Sequence, residues 1–196
     1  DEILLKKNIE FLKKINSFKF NKIKFGYAKD FKNKGISYSN ELKQRLRSAK
    51  LNTSFLKKKQ IKYITSQIEK KICLLNEIKY FKNFKKLKKE QLILSPCDFH
   101  YKNMIIRNKK IFYADFEYSG IDDLSKIISV NFLQPEKNIN LELLLKLKKK
   151  IEISFSSNAN IISRIKFLFP IIYLRWALIL INKISKKKTF YKNENQ

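Results

Sequence analysis

Three glycines in 196 residues leave no room for a glycine-rich phosphate cradle, and neither GxGxxG nor GxxxxGK[ST] occurs. The two cysteines, Cys73 and Cys97, lie too far apart for a CxxC knuckle, and with His100 as the single histidine no zinc set can be assembled. A reducing, cytoplasmic compartment is the expectation. Arginine is scarce too. The chain carries a formal charge of +27 yet only five arginines, Arg45, Arg47, Arg107, Arg164 and Arg175. Surfaces that read phosphates or bases lean on arginine's bidentate fork. The lysine excess, alongside abundant Asn, Ile, Phe and Tyr, therefore reads as compositional drift, and specific nucleic-acid binding is not expected. No charged n-region with an apolar h-region opens the chain, which starts at Asp1 rather than Met. That start reads as a cut.

The chain does have enough apolar material for a core: 44% of residues, with 16 Phe and 9 Tyr, as in a globular chain. Leu5, Ile9, Leu12 and Ile15 recur at helical spacing and predict a first amphipathic helix over 3–15. Residues 16–34 lack periodicity and read as a loop. A second helix is expected to start at Ser37 or Ser39 as N-cap. A third, over 55–78, follows from Ile61, Ile64, Ile68, Ile72 and Leu75. After Gly120 the pattern predicts helices over 122–132, 141–155 and 160–184, the last broken near Pro170. Its apolar run, 161–182, is long enough to cross a bilayer. Arg164, Lys166 and Arg175 within it are each costly at mid-bilayer, by about 2.5–3.5 kcal/mol, so buried helices without a membrane span are predicted.

Between the helical halves the pattern changes. QLILS reads as a short buried strand. MII from Met104 and IFYADF from Ile111 read as a hairpin turning at Asn108. The predicted class is mainly α with a small β-hairpin region.

The hairpin gathers polar groups. Asp98 and Asn103 stand five apart on the loop entering it, and Asp115 ends its second strand. If the strands pair, the three converge. Mg²⁺ takes carboxylate and carbonyl oxygens together with phosphate and water, a set that Asn103 and Asp115 can share. A second carboxylate left outside the metal shell, Asp98, can accept a proton from an attacking hydroxyl. Phosphoryl transfer needs little more from a protein than such placement and charge neutralisation.

D-F-H-Y-K-N at 98–103 followed by Y-A-D-F-E at 113–117 resembles the catalytic segment of the aminoglycoside phosphotransferase and choline kinase superfamily. With DFEYSGIDD and LFPIIYLRWALILIN the wording looks most like a bacterial branch of that family, from about residue 36 to 184. The resemblance implies a protein-kinase-like fold of which this chain is the helical C-terminal lobe, with 1–35 an interlobe helix and loop. It implies an ATP-dependent, Mg²⁺-dependent kinase acting on a hydroxyl of a small molecule. Asp98 matches the catalytic base, Asn103 a metal ligand, and Asp115 the ligand that bridges metal to nucleotide. His100 and Lys102 fall where the transferred phosphate is faced, and Glu117 is a candidate second metal or structural ligand. Asp122 and Asp123 are expected to cap the next helix rather than to support the catalytic loop by accepting backbone hydrogen bonds. Tyr173, Arg175 and Trp176 are expected in the core or on its rim.

The sequence departs from the family at Pro96, where a loop-holding histidine is usual. No strand-rich nucleotide lobe precedes Asp98, so ATP turnover by this stretch alone is not expected. Two readings from other classes compete: a catalytically silent kinase-like scaffold or metabolite binder, and a non-specific nucleic-acid binder acting through lysine. A metal-dependent nuclease using Asp98, Asp115 and Glu117 lacks the usual ExK companion, because Tyr118 and Ser119 follow Glu117.

Overall fold

The computed structural model describes residues 2–18, 24–51, 58–98, 101–108, 110–135, 141–155 and 161–190. They are mainly helical, with two small antiparallel sheets. Helices α1 (Glu2–Ser17), α2 (Gly35–Leu51) and α3 (Lys58–Glu77) come first. Strands β1 (Ile93–Ser95), β2 (Met104–Arg107), β3 (Lys110–Tyr113) and β4 (Gly120–Asp122) follow. Helices α4 (Leu124–Phe132), α5 (Leu141–Ser154) and α6 (Ile161–Phe190) complete the order. By contacts the chain divides into two compact units, residues 1–33 with 86–169, and residues 34–85 with 170–196.

The first unit is built on the stripe that periodicity marks in α1. Leu5, Ile9 and Leu12 are buried and join a cluster with Ile93, residues of α4 and α5, and Ile165 of α6. Asn16 closes the last turn of α1 in an unexpected way. Its side-chain amide donates to Leu94 O at 2.9 Å and accepts from Leu94 N at 2.8 Å, mimicking a neighbouring strand and fastening the helix end to β1.

The hairpin forms with Met104 opposite Tyr113 and Arg107 opposite Lys110. Asn108 turns at φ 49°, a left-handed geometry that asparagine tolerates. One strand escaped the sequence reading: β4 pairs with β1, Ile93 opposite Asp122 and Ser95 opposite Gly120. Its last residue, Asp122, is the predicted start of a helix that begins only at Leu124. Nor are residues 24–34 a simple loop. Tyr27 bridges Ile121 in parallel, Ala28 N–H donates to Ile121 O at 3.1 Å and Ile121 N–H to Gly26 O at 2.9 Å. Gly120 permits this approach, since a Cβ there would lie 2.6 Å from Ala28 N and 2.7 Å from Tyr27 C.

In the second unit α2 starts at Gly35, so Ser37 and Ser39 are helical rather than caps. Ser39 is buried and donates to Asn76 Oδ1 at 3.0 Å. The buried stripe of α3 holds Ile68 and Ile72 as expected, but Ile64 is exposed and the neighbouring Thr65 is buried in its stead, its hydroxyl donating to Ile61 O. Helix α6 is not broken at Pro170. It runs unbroken from Ile161 to Phe190 with the proline inside. A proline there forfeits one backbone bond and clashes with the preceding turn, a cost of about 3 kcal/mol. Burial of Leu168, Ile171, Ile172, Leu174 and Leu178 on both sides offsets it.

One window of α6, Ile161–Ile184, is long and apolar enough to cross a membrane. Its arginines are committed within the chain: Arg164 Nε lies 2.7 Å from Asp123 Oδ2 and Arg175 Nε 3.1 Å from Glu41 Oε1. Tyr173 is exposed rather than core.

Candidate phosphoryl-transfer site

The loop that carries Asp98 leaves β1 through a tight turn. Ser95 is buried, and its Oγ accepts from Cys97 N at 2.9 Å. Asp98 N–H donates to Pro96 O at 2.9 Å while Cys97 sits at φ 68°. A two-residue hydrogen bond around a positive φ is the rare, strained form of γ-turn. Pro96 can serve it because the turn asks that residue only for a carbonyl. The turn leaves Asp98 exposed.

Asn103 ends a short 3₁₀ turn, Tyr101–Asn103, directly before β2. Its side-chain Nδ2 reaches back to Asp98 O at 3.4 Å, a long bond, and its backbone O accepts from Ala114 N at 2.9 Å. Asp98, Asn103 and the residue before Asp115 are thereby linked in one chain of hydrogen bonds. Asp115 follows at φ 63°, a second left-handed residue without being glycine, with its carboxylate exposed. Strained backbone of this kind persists only where the surroundings fix it, and it collects at functional positions.

The donor chemistry suits a hard divalent cation. Asn103 directs its N–H end at the Asp98 carbonyl, which leaves Oδ1 outside that bond and able to act as an oxygen ligand. Glu117 follows Asp115 by two residues. It sits exposed in the turn closed by Ser119 N–H to Phe116 O at 2.9 Å, on the side of Lys29, whose ammonium stands 3.6 Å from the Tyr118 ring centroid. Lys102 is exposed on the 3₁₀ turn. His100 lies outside the described residues. Among the described residues no group of three or more His, Cys, Asp or Glu side chains could hold a metal. The pair here is one carboxylate and one amide.

Under the loop lies a polar layer that the sequence reading missed in part. Asp123 is the N-cap of α4, as expected: Oδ1 accepts from Ser125 N at 2.9 Å and Oδ2 from Arg164 Nε at 2.7 Å. Asp122 is not a cap. Its Oδ2 pairs with Lys126 Nζ at 2.6 Å, its Oδ1 accepts from Asp123 N at 2.8 Å, and Lys126 also donates to Asp30 O at 2.7 Å. Burial pushes the Asp122 carboxyl up, and the Lys126 ammonium pulls it back. The same two charges are felt by the half-buried Cys97 thiol, which burial pushes up. The ion pair thus sits beneath the turn that presents Asp98. An Asp four residues before a Lys was the available signal, but i,i+4 pairs are ordinarily surface features.

At the hairpin, Phe11 of α1 stacks on Tyr113 at 4.0 Å between ring centroids and on Phe116 at 6.5 Å. Tyr113 Oη donates to Asn8 Oδ1 at 2.8 Å. Partial burial pushes the Tyr113 phenol up to about 12.

Comparison of the chain with known protein families, with curated proteins and with solved structures gave no match.

Proposed function

We propose that the chain is the helical lobe of a protein-kinase-like phosphotransferase that moves a phosphoryl group from a nucleoside triphosphate, most simply ATP, to a hydroxyl of a small molecule. The observation that carries the reading is the hydrogen-bonded run from Asp98 O through the Asn103 side chain and backbone to Ala114 N, with strained residues at both ends. It ties Asp98 and Asn103 to the end of the hairpin's second strand, just before Asp115, which supports reading the three together as a base and two oxygen ligands. The D-F-H-Y-K-N and Y-A-D-F-E wording supports the same roles.

Bound Mg²⁺ and nucleotide supply the transferable phosphoryl group and neutralise its charge. Asp115 and the Oδ1 end of Asn103 would hold the cation. Asp98, exposed and outside that shell, accepts the proton of the acceptor hydroxyl. Lys102 provides a nearby cation for phosphate oxygens. Such chemistry belongs in a nucleotide-rich cytoplasm.

Mn²⁺ in place of Mg²⁺, followed by electron paramagnetic resonance in the presence of ATP, tests the ligands. Asp115→Ala and Asn103→Leu should lose the bound signal, while Asp98→Asn should keep it. In the full-length protein, phosphoryl transfer to a panel of small alcohols should then fall about 10²–10⁴-fold in Asp98→Asn, the usual worth of a general base. Undiminished Mn²⁺ binding by Asp115→Ala, or undiminished transfer by Asp98→Asn, overturns the assignment. Failure of the unsubstituted chain to bind Mn²⁺ at all favours the silent-scaffold reading.

A further inference from the structure

We propose that helix α1 is the splint that sets Asp115, and that Phe11, with Asn8 behind it, is a positioning residue for that carboxylate. The functional consequence rests on the reading of Asp115 as a cation ligand; the structural claim does not.

Aspartate tolerates φ 63° better than most side chains, yet the geometry still costs energy and is selected by what surrounds it. Backbone bonds stop on either side. Ala114 N–H is bound to Asn103 O, and the turn after Asp115 closes only from Phe116 to Ser119. What spans the gap is a pair of rings. In an extended strand Tyr113 and Phe116 would point to opposite faces, since side chains alternate with a period of two. The left-handed turn at Asp115 breaks the alternation, and both rings meet the same phenyl, Phe11, at interplanar angles of 24° and 28°. The double stack and the backbone geometry of Asp115 are one arrangement seen from two ends.

The splint is itself firmly seated. Asn8 precedes Phe11 by three residues and so shares its face of α1. It is 0% exposed and receives the Tyr113 hydroxyl. Leu5, Ile9 and Leu12 bury the inner side of the helix, and Asn16 ties its end to β1. Phe11 thereby extends the stiffness of the core to a ligand at the surface, the kind of support whose loss typically weakens metal affinity 10–100-fold.

The test uses the full chain and two readouts. The first is the Asp115 backbone and Cβ chemical shifts by NMR without metal, and the second is the Mn²⁺ dissociation constant with ATP. Phe11→Leu should move the Asp115 shifts off their left-handed signature and weaken Mn²⁺ about tenfold. Phe11→Tyr, which keeps an aromatic ring, should restore both. Leu5→Ala, a core truncation in the same helix, should lower thermal stability and leave Asp115 unmoved. Phe116→Leu removes the other stack at a ring that is 44% exposed, and gives the same reading should Phe11→Leu not fold. Unchanged Asp115 shifts in both ring variants overturn the inference, as do equal shifts in Leu5→Ala. A parent chain that binds no Mn²⁺ would remove the metal role of Asp115, while the shifts still decide the role of Phe11.

Discussion

Lys126 Nζ stands 2.6 Å from Asp122 Oδ2 with the two side chains 3% and 0% exposed. Two charges withdrawn from water at this depth are tolerable only if their other polar atoms find partners, and here Asp123 N–H donates to Asp122 Oδ1 while the ammonium also donates to Asp30 O. The pair therefore ties the segment at Asp30 to strand β4 and helix α4, which follow one another in the chain. It does so under the turn that carries Asp98.

Removing one partner should be far worse than removing both. Lys126→Met leaves a buried, uncompensated carboxylate and is expected to cost about 3–5 kcal/mol in urea unfolding. Adding Asp122→Asn removes that charge while keeping an acceptor for Asp123 N–H, so the double variant should recover much of the loss. If Lys126→Met unfolds within about 1 kcal/mol of the parent, the pair is not the anchor described.

Gly120 gives a sharper steric test. A methyl group there would press on backbone atoms of Gly26, Tyr27 and Ala28 at 2.6–2.8 Å, and backbone held in a bridge cannot swing aside as a side-chain tip can. Gly120→Ala should destabilise by about 1–3 kcal/mol, as overpacking does. At Gly26 an added Cβ would have no atom within 4 Å, so Gly26→Ala should be close to neutral and serves as the control. Equal melting temperatures for the two variants would contradict the packing of this segment on β4.

The elements legible in the sequence were those fixed by local spacing. Leu5, Ile9 and Leu12 marked the buried face of α1, and Asn108 marked the hairpin turn. Strand β4 was not legible because three residues, Gly120–Asp122, cannot display a period. Asp122 looked like a cap because acidic residues before a helix usually are, and only the long-range contact with Asp30 O shows a different role. Pro170 argued for a break by local rules that apolar burial along α6 overrides. In the candidate site the spacing of Asp98, Asn103 and Asp115 suggested the cluster. The strained φ values at Cys97 and Asp115, and the Phe11 stack, depend on tertiary packing and left no local trace.

Tyr113 ties this architecture to pH. Its phenol is pushed up from 10.0 to about 12 because partial burial disfavours the phenolate. A folded-state pKa above the unfolded one means stability that is fully present below pH 10 and is lost as pH rises through 12. Tyr113→Phe removes both the hydroxyl bond to Asn8 and this dependence. At pH 8 the parent should be more stable than the variant by about 1 kcal/mol, the net worth of one hydrogen bond. The variant strands a buried Asn8 Oδ1 whose Nδ2 already lacks a partner among the described residues. At pH 11 the unfolded parent gains from ionising Tyr113 while the folded parent does not. That gain is roughly 1 kcal/mol after allowing for solvent screening, and the difference between the proteins should shrink to nothing. Comparing parent and variant cancels the other titrating tyrosines and lysines. A stability difference that stays constant from pH 8 to 11 would mean that the Tyr113 phenol titrates as freely in the folded chain as in the unfolded one, and that the hairpin is not clamped to α1 through it.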